Sequence, residues 1–246
     1  AVVVGCLIPV AWIEAEEPNV VGKSPAPSRQ LNIESIEPAN TVGMEGDKLD
    51  GLEQFIEAAM KEWKLPGLAV AVVHDGKIVH SKGYGFRDME KKLPVTEHTL
   101  FAIGSISKSF TATGLGMLVD DGKLDWDTPV RNYLSDFQLY DRFTTEHVTA
   151  RDLVTHRSGL PRHDFVWYAD PNRSRKDLYA RLRFLEPSKE FRSTWQYQNL
   201  MFMTAGVLAE NISGKSWEEF TRERILESIG MSRSNFSVSD SQKTDD

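Results

Sequence analysis

Ser105-Ile106-Ser107-Lys108 sets a hydroxyl and an amine three residues apart, directly after Gly104 and the apolar lead-in Leu100-Phe101-Ala102-Ile103. Residues three apart on a helix share a face, so Lys108 can stand beside Ser105. A serine hydroxyl at its ordinary pKa is a poor nucleophile and needs a neighbour that takes its proton. A lysine withdrawn from water in a cleft holds its own proton less firmly and can serve. A serine at a helix N-terminus also lies among backbone N–H groups without intrahelical acceptors, which favour developing negative charge. The chemistry this predicts is acyl transfer through a serine nucleophile. Alone, the tetrapeptide equally fits a Ser near a helix start and a solvated Lys one turn on.

Two features sharpen the reading. It is the only S-x-x-K in the chain, and it opens an apolar stretch (Phe110, Leu115, Met117, Leu118, Val119) that ends at Asp121-Gly122, a helix with a C-terminal stop. Tyr197-Gln198-Asn199 is the only Y-x-N. A Tyr hydroxyl can relay a proton to a leaving group, and an Asn amide can hold both a substrate carbonyl and a lysine.

The elements that must position these residues are legible from periodicity. Leu52, Phe55, Ile56, Ala59, Met60 and Trp63 recur at helical spacing and predict an amphipathic helix over 48–64, broken by Pro66-Gly67. Leu68–Val73 and Ile78–Tyr84 read as strands joined through His74-Asp75-Gly76-Lys77, with Asp-Gly at the tight turn. From Ser105 to about Phe220 the pattern is mostly helical, with turns at Asp127-Thr128-Pro129, Ser158-Gly159 and Glu186-Pro187.

The chain resembles the serine β-lactamase and penicillin-binding-protein superfamily, in the branch of class C β-lactamases, D-aminopeptidases, DD-peptidases and related esterases. The resemblance runs in order over roughly residues 50 to 236: Pro66-Gly67-Leu68-Ala69-Val70, the segment Phe101–Thr111, Asp121-Gly122-Lys123-Leu124-Asp125, the segment Asp152–Pro161, Gln196–Asn199, Ser213-Gly214-Lys215 and Leu226–Met231. It implies an α/β fold, β-lactamase-like, with an antiparallel sheet flanked by helices plus an all-helical lobe and the site in the cleft between them. By resemblance Ser105 is the nucleophile, Lys108 and Tyr197 share proton transfer, and Asn199 binds substrate. The family continues with further strands carrying a Lys/His-x-Gly motif, which supplies the second oxyanion donor. No such motif stands in the matching place, since Lys243-Thr244-Asp245 ends in Asp. The expectation is therefore an incomplete domain over 48–246 lacking its C-terminal strands, with a sheet of two strands and little or no turnover. Losing one oxyanion donor costs about 10² to 10³ in rate.

Composition narrows the field further. With 246 residues, 40% hydrophobic and 26% charged, the chain has a globular composition. A net charge of −7 argues against a nucleic-acid partner. No H-E-x-x-H, paired Cys or Asp/His cluster predicts a metal, no cofactor is implied, and the absence of G-x-S-x-G argues against an α/β-hydrolase. Residues 1–13 are largely apolar and read as a signal-peptide remnant, and 14–47 as a Pro-containing linker, which predicts an exported, periplasmic or extracellular protein. Val3-Val4-Gly5-Cys6 also fits a lipoprotein box, which would attach the N-terminus to a membrane; a buried strand is the structural alternative.

His156 lies two residues from Ser158 but is expected to be a satisfied structural histidine rather than a triad base. The basic residues between Arg162 and Arg192 read as a solvated face, with a cation wall for a substrate carboxylate as the functional alternative. Trp195 is expected in the core, with a substrate platform as the functional alternative. Together these imply a serine hydrolase acting through an acyl-serine on small-molecule or peptide amides, lactams or esters, with peptidase or esterase action favoured over dedicated β-lactamase action. The alternative is a catalytically inactive homologue serving as a binding or scaffold protein.

Overall fold

A computed structural model describes residues 49–170 and 172–244; the signal-remnant and linker assignments, with Cys6, lie outside the described residues. The chain divides into two compact units, one reaching to Ala102 and including the segment from Ser237, the other Ile103–Phe236.

In the first unit, α1 spans Leu52–Trp63 and buries Ile56. It starts later than periodicity suggests because Gly51, at φ 82°, sets the chain outside helical geometry. Lys64 in the left-handed region closes it, its N–H bonding back to the carbonyls of Met60 and Lys61. Strands β1 (Gly67–His74) and β2 (Lys77–Asp88) pair antiparallel through the two-residue turn Asp75-Gly76, with φ of 49° and 73°. Those positive φ values define a primed turn, whose twist matches the strands. Leu68, Val70 and Val72 are half-buried while Ala69, Ala71 and Val73 are exposed, so β1 has a sided, period-two pattern. The two-strand expectation is corrected here. Leu93–Pro94 forms a short β3 against β2, giving the order β1-β2-β3. Proline is tolerated there because β3 is an edge strand.

The second unit is helical. Its elements are α2 (Ser107–Asp120), α3 (Arg142–His147), α4 (Ala150–Val154), α5 (Phe165–Tyr168), α6 (Arg175–Arg181), α7 (Asn199–Ser213) and α8 (Trp217–Thr221), with 3₁₀ turns between them. Leu115 and Leu118 of α2 and Leu200, Met201, Ala205 and Leu208 of α7 are almost fully buried in one core with Phe137, Val148, Leu153 and Leu182. Each such leucine is worth about 1.5–3 kcal/mol of burial. The core fixes α2 and α7, and with them the two chemistry-bearing segments at their N-termini.

Between those helices, two connections fix the chain path. Gly159 has φ 82°, and a Cβ there would lie 2.3 Å from the Lys189 carbonyl oxygen; only glycine permits this close approach. Its own carbonyl accepts from the N–H groups of Ser188 and Lys189. Thr149 and Asp152 form a reciprocal capping box at the start of α4. The same Asp152 carboxylate, nearly buried, accepts two bonds from Arg192, Nε at 2.9 Å and Nη2 at 2.6 Å.

Burial alone would raise the Asp152 pKa, but the Arg192 and Thr149 bonds prevail and hold it below the usual carboxylate range. A depressed carboxylate contributes stability above its unfolded pKa, near 3.9, and loses it as pH falls through the folded value. Arg192→Met leaves Asp152 buried with only its Thr149 partners. Breaking a fully buried pair costs about 3–5 kcal/mol, and the half-exposed arginine reduces this to roughly 2–3 kcal/mol. The expected outcome is a lower urea midpoint with unchanged m-value, and acid unfolding at higher pH than in the parent. An unchanged midpoint would show that the pair contributes nothing.

Candidate active site

A 3₁₀ turn over Gly104–Ile106 leads directly into α2. Ser105 therefore lies in the turn before the α-helix rather than on its first residue, and Lys108 is in the first turn of α2. Ser107 and Ser109 stabilise this junction by donating their hydroxyls to the Gly104 and Ile106 carbonyls, each at 2.7 Å. The Ser105 N–H has no backbone acceptor among the described residues, as expected for the first N–H groups of a helical segment.

Ser105 Oγ lies 2.5 Å from the Tyr197 hydroxyl. Lys108 Nζ donates to Ser105 Oγ at 3.0 Å and to Asn199 Oδ1 at 2.8 Å. The nitrogen also stands 4.7 Å from the centroid of the Tyr197 ring. The structure thus brings together all four residues singled out in the sequence, and it does so within the second unit. Ser105 is exposed, while Lys108, Tyr197 and Asn199 are half-buried.

The Y-x-N segment is held by a lattice of bonds to residues 156–161. The Gln196 N–H donates to the His156 carbonyl, and its amide to the Gly159 carbonyl. The Gln198 N–H donates to His156 Nδ1 at 3.0 Å, and the Gln198 side chain accepts from Leu200 to cap α7. His156, buried and at φ 60°, packs its ring against Tyr197 at 4.6 Å between centroids. Burial and the charge of Lys108 hold its pKa below the ordinary value. Nδ1 accepts a backbone proton, so the neutral ring is the form this geometry requires. His156 makes no bond to Ser158 among the described contacts and is a structural support for Tyr197, not a triad base.

Two further residues join the site: Asp164, which had no role assigned from the sequence, and Arg162, named there only as part of the basic stretch. Asp164 accepts from Asn199 Nδ2 at 3.3 Å and from Arg162 Nε at 2.6 Å. This fixes the Asn199 amide with its oxygen toward Lys108. Arg162 in turn places its guanidinium 5.0 Å from the Tyr197 ring centroid. No sequence spacing reveals Asp164, because it lies 35 residues from Asn199 and meets it only in the fold. Trp195 corrects the expectation of core packing. It is 65% exposed, with its ring edge-on to His156. The basic stretch is also not one solvated face. Arg192 pairs with Asp152, and Arg175 bridges Glu210 and Glu218.

Burial would raise the Tyr197 pKa, but hydrogen bonds from Lys108 and Ser105 and the charges of Lys108 and Arg162 outweigh it and hold the phenol below its ordinary value. A phenol stabilised as the anion beside a serine hydroxyl can accept the serine proton. Among the described residues no cluster of three or more His, Cys, Asp or Glu side chains is placed to hold a metal.

The Beta-lactamase family matches residues 52–246 of the chain. An unguisins hydrolase of Aspergillus campestris is 37% identical over 206 residues, which make up 80% of this chain and 38% of that relative. Among solved structures, the octameric penicillin-binding protein homologue from Pyrococcus abyssi superposes with a TM-score of 0.72 at 33% identity, over 81% of this chain and 47% of that one. The D-amino acid amidase from Ochrobactrum anthropi, complexed with D-phenylalanine, superposes with a TM-score of 0.66 at 27% identity, over 78% of this chain and 56% of that one. The chain spans less than half the length of the fungal relative.

Tyr197 ionisation gives a direct check on the site's electrostatics. Tyrosinate absorbance of the parent minus that of Tyr197→Phe is expected to titrate below the ordinary value near 10. Lys108→Met removes the bond and charge that hold the phenol low, so the same difference signal should move to higher pH. Identical titrations with and without Lys108 would refute the coupling.

Proposed function

The chain belongs to the Beta-lactamase family, and from that premise we propose that it is a serine hydrolase forming an acyl-enzyme at Ser105. The observation that carries this reading is the convergence of Tyr197 and Lys108 on one serine oxygen, at 2.5 and 3.0 Å. In the proposed sequence Ser105 Oγ attacks the substrate carbonyl as its proton passes to Tyr197, the nearer acceptor. Lys108 stabilises the phenolate, and Asn199 holds the substrate amide. The oxyanion draws on the free Ser105 N–H at the head of α2. Tyr197 then returns the proton to the leaving group, the carbonyl–leaving-group bond breaks, and water later hydrolyses the acyl-serine ester by the reverse proton path.

Peptide, amide or ester substrates are favoured over dedicated β-lactam turnover. The support is the kind of relative: one is named a hydrolase of unguisins and one a D-amino acid amidase. The apolar N-terminus supports action outside the cytoplasm.

Intact-mass spectrometry after a fluorophosphonate is the primary test. The expected result is one stoichiometric adduct in the parent and none in Ser105→Ala. Tyr197→Phe and Lys108→Met should slow labelling by roughly 10² to 10⁴, the contribution of a positioned general base. D-phenylalanine amide and benzylpenicillin, compared as substrates, separate the finer readings, with amide turnover expected to be the faster. A chain that forms no adduct with any acylating probe would be an inactive homologue, and its role would then be binding.

A further inference from the structure

The site carries a cation whose hydrogen-bonding capacity is only partly used. Arg162 is 58% exposed in its side chain and gives its Nε–H to Asp164. Its two terminal nitrogens, Nη1 and Nη2, donate to no described residue. The guanidinium lies over the Tyr197 ring, and that ring's hydroxyl touches the candidate nucleophile. With Nε held, the Nη1–Nη2 edge remains as a planar fork one aromatic ring away from Ser105. Such a fork matches the two oxygens of a carboxylate.

Asp164 does not cancel this preference. Its second oxygen is engaged by Asn199, which in turn accepts from Lys108, so one carboxylate serves two cationic groups. With Tyr197 as the phenol the formal charges of Lys108, Arg162 and Asp164 sum to +1; with Tyr197 as the phenolate that accepts the serine proton the four sum to zero, so the open fork rather than net charge carries the preference. The contact with the Tyr197 ring and the Asp164 bond restrain the guanidinium before substrate arrives, which reduces the entropy lost on binding. A lysine at this position would offer charge without the fork.

We propose that Arg162 is a substrate-carboxylate receptor, and that the preferred substrates are acyl compounds bearing an anionic carboxylate close to the scissile bond. This rests on acylation at Ser105 and adds the chemical class that the site selects. The probes are the mono-p-nitrophenyl ester of glutaric acid and the p-nitrophenyl ester of neutral valeric acid. In each, the Ser105 Oγ–acyl bond forms and the bond between the carbonyl carbon and the nitrophenyl oxygen breaks. The serine proton passes to Tyr197, and the electron pair leaves with nitrophenolate, which reports acylation.

The quantity read is the ratio of acylation efficiencies, anionic over neutral ester. In the parent chain it should favour the anionic ester and decline as salt is raised. Arg162→Gln should lower the ratio roughly tenfold or more, the weight of a charge-assisted hydrogen bond. Arg162→Lys should restore part of it. A parent ratio at or below one, or equal loss on both esters in Arg162→Gln, would overturn the proposal and leave Arg162 as a support for Asp164.

A second measurement keeps this apart from the acylation reading. In Ser105→Ala, glutaramate (one carboxylate) should bind more tightly than glutaramide by calorimetry, and the added Arg162→Gln change should abolish the difference. If neither ester releases nitrophenolate but this difference is present, acylation has failed and the carboxylate site stands. If both esters acylate without a charge preference and the binding difference is absent, the carboxylate site has failed and acylation stands.

Discussion

The side-chain nitrogen of Lys108 is the constraint on which the site depends. It joins Ser105, ahead of α2, to Asn199, the first residue of α7. A flexible four-carbon stem would not hold such a geometry by itself, because freezing it is entropically unfavourable. It holds because both helices are locked from below by Leu115, Leu118, Leu200, Met201 and Leu208, all almost fully buried. Core packing therefore sets the distance between two helix N-termini, and Lys108 fills that distance. The arrangement directs the positive ends of α2 and α7 toward the same small region, where an acyl transfer develops negative charge.

Tyr197 lies outside either helix and needs a different support. The peptide bonds around it are tied to residues 156–161 on one side and its ring is packed by His156. His156 can accept the Gln198 proton only while its ring is neutral at Nδ1. The charge of Lys108 helps keep it so. The same lysine thus acts on the phenol directly and on the residue that supports the phenol. Gly159 belongs to this arrangement because its close approach to the Lys189 carbonyl keeps the supporting segment against the chain that returns toward Tyr197.

Much of this was legible in the sequence, for physical reasons that differ by residue. Ser105 and Lys108 could be paired because helical spacing is local, and the Asp75-Gly76 turn because positive φ favours those residue types. Tyr197 and Asn199 stood out as the only Y-x-N, but their pairing with Ser105 and Lys108 came only through the resemblance, since no local rule links them to residues some ninety positions earlier. Asp164 and the orientation of Arg162 were not legible at all. They arise from contacts between segments whose approach is set by the core. Strand β3 escaped because two residues, one of them proline, leave no alternation to read. Trp195 was misassigned because hydrophobicity states how much a ring gains by burial but not whether the fold has room for it.

The Asp164 carboxylate shows how the two levels meet. A carboxylate this close to the nucleophile would ordinarily oppose an anionic transition state, since like charges in a poorly solvated site repel strongly. Here both of its oxygens are taken, one by Arg162 and one by the Asn199 amide. Its field is spent on orienting Asn199, whose oxygen then faces Lys108. Arg162 compensates the charge and stands over Tyr197, where its own field favours the phenolate. The pair is therefore best understood as one neutral device with a directional dipole. The carboxylate end sets the amide, and the guanidinium end supports the phenol and leaves a donor edge open to solvent over the Tyr197 ring.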